Sequence, residues 1–200
     1  MKIKRFIGGS LMSNGYVLYQ KEGGSCYIID PGYTPKNFID FVREKNLQAM
    51  GIIATHLHHD HTGAAEAVSD VLNCPIFMHQ ADAFVYKGRV DHLLSDGEIL
   101  ELEGEPLKVI LTPGHTEGSI CLMSEKSRVC FTGDTIFDTD LGRSDLAGGS
   151  ERDMMHSVRD IIDRWENDIF IWPGHDNGCT MKQVRIYNTE FLALRDGNER

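Results

Sequence analysis

A chain of 200 residues has the length of one ordinary domain, and 41% hydrophobic with 25% charged residues is the composition of a globular protein. A formal net charge of -10 gives no overall pull toward nucleic acid or anionic membranes, both of which need clustered Lys and Arg. No window is apolar enough to span a bilayer, and the apolar patch after the basic opening is interrupted by Gly, Ser and Asn before any cleavage pattern. Neither a membrane segment nor a signal peptide is therefore expected. The 5 cysteines are odd in number and form no Cys-x-x-Cys pair. Cys26, Cys121 and Cys130 lie in apolar, β-like runs, so buried reduced thiols and a cytoplasmic location are expected.

No linker, repeat or compositional shift marks a boundary, and residues 1–200 are expected to form a single domain. Tyr16 to Gln20 and Ser25 to Ile29 read as a hairpin around the Glu22-Gly23-Gly24 turn. Asp30-Pro31-Gly32 ends the second strand, and Pro35 opens a helix of about ten residues, with Phe38, Phe41 and Val42 at helical spacing. Met50 to Ala54 reads as a buried strand, and the Ala-rich Gly63 to Val71 as a helix. Pro75 to Met78, Leu107 to Leu111, Ser119 to Met123, Arg128 to Phe131 and Asp168 to Trp172 read as further strands. Between the last two, Glu151 to Trp165 has the strongest amphipathic pattern, with Ser150 as its N-cap. Met181 to Leu194 reads as one closing helix. Alternating strands and helices after an opening hairpin imply mixed α/β layers with helices on the outer faces.

The chemistry sits in Thr55-His-Leu-His-His-Asp-His-Thr-Gly63. If the stretch is extended, His56, His58 and Asp60 share one side, and His61 follows where the chain turns into the helix. Imidazole nitrogen and carboxylate oxygen are the donors that zinc and its first-row neighbours accept. This segment alone cannot satisfy two metals. Three distant positions share one context: His115 after Thr112-Pro-Gly, Asp134 after Thr132-Gly, and His175 after Trp172-Pro-Gly. Each follows an apolar strand that Pro or Gly breaks, which places a donor at a strand end rather than within a sheet. Donors at such a rim of loops can meet. His59, His79, His92 and His156 lack that context and are left unassigned.

These motifs, spanning residues 55 to 175 and extended by the Asp30-Pro31-Gly32 turn, resemble the metallo-β-lactamase superfamily. Phe131-Thr-Gly-Asp-Thr-Ile-Phe137 followed by Leu141-Gly-Arg-Ser-Asp145 is similar to the glyoxalase II (hydroxyacylglutathione hydrolase) group. The resemblance implies an αββα sandwich of four layers. It also implies two divalent metal ions, with zinc first and iron or manganese as alternatives. His56, His58 and His115 would bind one ion, Asp60, His61 and His175 the other, and Asp134 and a hydroxide would bridge them. Such a site acidifies water and polarises a carbonyl without a Ser or Cys nucleophile.

The activity so implied is hydrolysis of a small-molecule thioester or ester, with Asp60 and Asp134 as the catalytic carboxylates. Asp30 is the expected acceptor behind a ligating imidazole. Arg143 is the expected substrate contact, and an internal Arg143–Asp145 pair is the competing reading. The larger glyoxalase II enzymes carry a further C-terminal helical region that contributes to the glutathione pocket, and residues 178–200 are expected to leave much of that pocket without a counterpart. The alternatives are another ester or lactone hydrolase and a persulfide dioxygenase with one iron, held by His56 or His58 with His115 and Asp134.

Overall fold

The computed structural model describes residues 1–197. Strands β1 (Lys2–Gly8), β2 (Ser13–Tyr19), β3 (Ser25–Ile29), β4 (Gln48–Ile53), β5 (Ile76–His79) and β6 (His92–Leu94) lie in that order in one six-stranded sheet. It is antiparallel through β3 and parallel from β3 to β6. Strands β7 (Ile99–Glu101), β8 (Pro106–Leu111), β9 (Ile120–Ser124), β10 (Val129–Gly133), β11 (Phe170–Pro173) and β12 (Cys179–Thr180) form a second six-stranded sheet, in which only β10 and β11 run parallel. Both sheets are mixed, as the sequence implies.

Three apolar cores define the layers. Tyr16, Leu18, Tyr27, Ile29 and Ile53 from the first sheet meet Leu107, Val109, Ile120, Leu122 and Phe131 from the second, so the sheets pack face to face. The alternate residues Val17, Cys26, Ile28 and Ile52 point the other way. They pack on Phe38 and Val42 of helix α1 (Pro35–Glu44) and on Val68 of helix α3 (Ala65–Leu72). Cys121, Cys130 and Ile171 turn outward from the second sheet onto Met154, Val158, Ile162, Val184, Phe191 and Leu194. The period-2 alternation of each strand thus divides its side chains between an inner and an outer layer, which gives the αββα sandwich.

The hairpin and α1 fall where the sequence places them, and Ser150 caps its helix through the Asp153 N–H. Five differences have physical causes. The opening residues form β1, an edge strand whose half-exposed alternation of Lys and Ile conceals the pattern. The strands β6 and β7 are three residues each, too short for a period to show. The helix expected from Gly63 is preceded by a separate turn, α2 (His59–Thr62).

The helix expected over 151 to 165 is regular only in α5 (Glu151–His156), then widens into a π-turn over Ser157–Ile161 and tightens into a 3₁₀ turn over Ile162–Arg164. Met154, Val158 and Ile162, four residues apart, all stay buried, which the wider turn favours, and the Ser157 hydroxyl donates to the Pro113 carbonyl at 2.7 Å.

The closing helix is two, α6 (Met181–Tyr187) and α7 (Thr189–Asp196), split at Asn188. The buried Asn188 amide accepts from the Phe191 N–H at 2.8 Å as an N-cap and donates to the Phe137 and Asp140 carbonyls at 3.1 and 2.7 Å. It thereby fastens the helical layer to the loop after β10. Asn188→Ala should lower the unfolding free energy by about 2 kcal/mol in urea denaturation, since it removes a cap and the donor to the buried Phe137 carbonyl. A change below about 0.5 kcal/mol would show that the helix break is not held by this side chain.

Candidate metal centre

The parallel strand β4 delivers the chain to a bend at Thr55, and three more strands end at the same rim. His56 and His58 lie in the bend, and His58 is extended at φ -65 and ψ 144. Asp60 and His61 lie in the short helix α2, not in an extended run. The shared-side expectation therefore holds for His56 and His58 and fails for Asp60. The change of conformation at residue 59 splits the segment into two pairs of donors. His115 follows β8, Asp134 follows β10, and His175 follows β11.

Two groups result. In one, the donor atoms of His56, His58 and His115 all lie within 4.8 Å of one another, with His58 Nδ1 2.9 Å from His115 Nε2. In the other, His61 Nε2 is 3.3 Å from both His175 Nε2 and Asp60 Oδ2, and His175 Nε2 is 3.2 Å from Asp60 Oδ2. Asp134 stands between them. Its Oδ2 is 3.5 Å from His115 Nε2 and 3.4 Å from His175 Nε2, and its Oδ1 is 3.3 Å from His61 Nε2. Donors held about 2.05 Å from one tetrahedral ion stand about 3.3 Å apart, so these separations suit first-row metals. The buried His56 Nε2 has no hydrogen-bond partner, a costly condition that an ion would relieve. The donor set fits divalent metals.

The rear nitrogens fix the rings. His115 Nδ1 donates to the Arg143 carbonyl at 2.7 Å, and His175 Nδ1 to the Leu11 carbonyl at 3.0 Å. Since a carbonyl only accepts, both rings present an unprotonated Nε2 forward when neutral. Asp30 Oδ2 lies 3.1 Å from His61 Nδ1 and accepts from the Thr55 hydroxyl at 2.7 Å, and Oδ1 accepts from the Thr55 N–H at 2.7 Å. That hydroxyl is 3.1 Å from His56 Nδ1, so the buried Asp30 reaches a ring of each group. Asp30, His56 and His61 also lie close enough to suggest a third site, but the Asp30 oxygens are already engaged. Close backbone approach completes the frame: a Cβ on Gly174 would come within 2.2 Å of Asp134 Oδ1.

The Arg143 guanidinium is gripped by Asp145 at 2.7 and 2.8 Å, with its side chain 61% exposed. The internal pair is therefore present, and it is the Arg143 carbonyl that touches the centre. Thr55 and the Leu11 carbonyl escaped sequence reasoning, because a hydroxyl after a strand and a peptide oxygen leave no motif.

Burial, then the neighbouring imidazoles, holds His56 and His58 below the usual histidine range. His61 and His175 go the other way. Burial opposes their charge, yet Asp134 with Asp30 and Asp60 holds His61 well above that range, and Asp134 with Asp60 lifts His175 to about 10. Burial likewise opposes the Asp60 and Asp134 charges, and the same imidazoles overcome it, leaving both carboxyls well below theirs. Without metal, the raised His61 and His175 thus stand against the three carboxyl groups of Asp30, Asp60 and Asp134.

Residues 8–175 match the family model described as "Metallo-beta-lactamase superfamily". The chain belongs to the metallo-β-lactamase superfamily. It is 30% identical to a hydroxyacylglutathione hydrolase, GloC, of Haemophilus influenzae over 80% of this chain and 84% of that one. A probable polyketide biosynthesis zinc-dependent hydrolase, BaeB, of Bacillus velezensis is 32% identical, over 82% of this chain and 72% of that one. Among solved structures, the B3 metallo-β-lactamase BLEG-1 aligns with a TM-score of 0.86 and 28% identity, over 94% of this chain and 98% of that one. TTHA1623 in a di-iron-bound form aligns with a TM-score of 0.82 and 25% identity, over 93% and 98%. Superfamily membership and the His/Asp groups make this a metal-binding protein of a hydrolase family, and no helix among the described residues is long and apolar enough to cross a membrane.

Metal loading of the second group must displace protons. The carboxylates around His61 and His175 favour the protonated ring, His175 up to about 10, so affinity there should rise with pH toward that value and fall as the solution is acidified. Calorimetric zinc titrations at pH 7 in buffers of different ionisation enthalpy should show release of about two protons. Heats independent of the buffer would contradict these charge states.

Proposed function

We propose that this chain is a binuclear metallohydrolase that cleaves the thioester or ester bond of a small-molecule acyl substrate. The observation that carries the reading is that two donor groups, His56, His58 and His115 in one and Asp60, His61 and His175 in the other, both reach the Asp134 carboxylate, whose Oδ2 lies 3.5 Å from His115 Nε2 and 3.4 Å from His175 Nε2. That pattern supports two ions sharing one carboxylate, with the first three imidazoles holding one ion and the second three donors the other. Zinc is the leading candidate, as in the zinc-dependent relative, and the di-iron form of the structural neighbour keeps iron open.

Two bound divalent ions supply acidified water and a Lewis acid for the substrate carbonyl. The protein does the rest. Asp60 and Asp134 are the only anionic donors among the seven, so the loaded centre keeps excess positive charge and favours an oxyanion over a neutral carbonyl. Asp60, its side chain largely buried and its Oδ2 3.2 Å from His175 Nε2, would lie beside the attacking water and orient it. The five cysteines are buried, which leaves no accessible thiol to act as the nucleophile.

A thioester suits such a centre because a thiolate leaves with less help from an acid than an alkoxide does. The named activity of the Haemophilus relative supports the same choice. Beside His175, the exposed Leu11 and Met12 offer apolar contact to an acyl group, whereas the Arg143 guanidinium is already paired. A substrate recognised through its acyl part fits this rim better than one recognised through the anionic ends of glutathione.

Metal-loaded protein screened on acyl-glutathione and acyl-coenzyme A thioesters, p-nitrophenyl esters, lactones and β-lactams should turn over a thioester fastest. Chelation should abolish the rate and added zinc restore it, while Asp134→Ala should lower kcat/KM by at least about 10³-fold, the scale of losing a charge-stabilising centre. No hydrolysis across the panel, together with oxygen uptake on a persulfide, would replace this reading with the dioxygenase one.

A further inference from the structure

The two loops that meet in the first group are separated by 57 residues, and a carboxylate outside every donor set joins them. Asp82 belongs to helix α4 (Gln80–Val85), an element without a sequence signal, and its side chain is fully buried. Its Oδ2 accepts from the Leu57 N–H at 2.8 Å and from the Thr116 hydroxyl at 2.8 Å, and its Oδ1 accepts from the Gly118 N–H at 2.7 Å. Leu57 is the residue between His56 and His58, and Thr116 directly follows His115. One oxygen atom therefore grips both segments at the positions next to their imidazoles. The approach is close enough that a Cβ on Gly118 would fall 2.5 Å from the Asp82 nitrogen and 2.7 Å from its Cβ.

These bonds come from neutral donors rather than a cation, an expensive way to bury a carboxylate if the aim were stability alone. What the arrangement secures is geometry, because three converging N–H and O–H groups fix the Asp82 carboxylate and, through it, the spacing of the two loops. The second group is anchored elsewhere: the Ser13 hydroxyl donates to the Asp60 carbonyl at 2.8 Å, Asp30 lies against His61, and the Leu11 carbonyl holds His175. From this division of labour we infer that Asp82 is a positioning residue for one half of the centre: it holds His56, His58 and His115 at ligating distance and leaves the Asp60, His61 and His175 group untouched. The inference rests on the proposal that both groups take up metal.

Asp82→Asn keeps size and shape but sets an N–H₂ group against either the Gly118 N–H or the Leu57 N–H and Thr116 hydroxyl, so the three bonds cannot form together and the loop after His115 is displaced in either orientation. The test is a titration of metal-free protein with cobalt(II) against a chromophoric chelator, following the visible cobalt absorption of each equivalent. Wild type should take two equivalents, and Asp82→Asn should bind one as tightly as wild type and the other at least about 10-fold more weakly, the scale seen when a group behind a ligand is lost. Thr116→Val should weaken the same equivalent while Thr116→Ser, which keeps the hydroxyl, restores it; this pair decides the matter should Asp82→Asn not fold. Equal affinity of both equivalents in the variants, or parallel weakening of both, would overturn the inference. Wild type that binds fewer than two equivalents would instead overturn the metal proposal beneath it.

Discussion

A carboxylate buried among imidazoles at the junction of two loops is the constraint around which this molecule is arranged. Asp134 is almost wholly enclosed, and such a charge is tolerated only where opposite charge or strong donors meet it. His61, held above the usual histidine range, meets its Oδ1 at 3.3 Å, and His175, His115 and His56 meet its Oδ2 at 3.4, 3.5 and 3.8 Å. The same atoms that make the charge bearable are those a pair of cations would use. Folding and metal uptake are therefore two solutions to one electrostatic problem.

The sandwich makes that junction possible. Two sheets packed face to face bring the ends of β4, β8, β10 and β11 to a common rim, and the inner core of Tyr16, Ile29, Ile53, Leu107, Val109 and Phe131 holds the sheets in register. Tyr16 shows how closely scaffold and centre are joined. Its ring packs in this core against Phe131 at 5.2 Å, and its hydroxyl donates to the Pro173 carbonyl at 2.5 Å, two residues before His175. Asn14 on the same strand donates to the Pro173 and Asp176 carbonyls, each at 3.0 Å, and so brackets that loop.

Much of this was legible in the sequence because strand-ending Pro and Gly beside His or Asp are local signals. The run from Thr55 to Gly63 and the turns at 113–115, 133–134 and 173–175 name the donors without any knowledge of the partner strands. The expected parity of Asp60 failed because the chain leaves the extended conformation after His58, and residue spacing does not reveal where a helical turn begins. Asp82 and Thr55 were hidden for another reason: their importance lies in backbone N–H and hydroxyl groups brought near by the fold, which composition does not encode. Asn188 was hidden by a competing pattern, since Val184, Phe191 and Leu194 keep an apolar stripe across a break that one cap creates.

The proposed centre would hold two cations side by side against Asp134. Anomalous diffraction from zinc-loaded crystals, collected above and below the metal edge, locates them. Two peaks roughly 3.5–4 Å apart are expected, one against His56, His58 and His115 and one against Asp60, His61 and His175. A single peak at full occupancy in crystals grown with excess zinc, or a peak on Asp30, would contradict it.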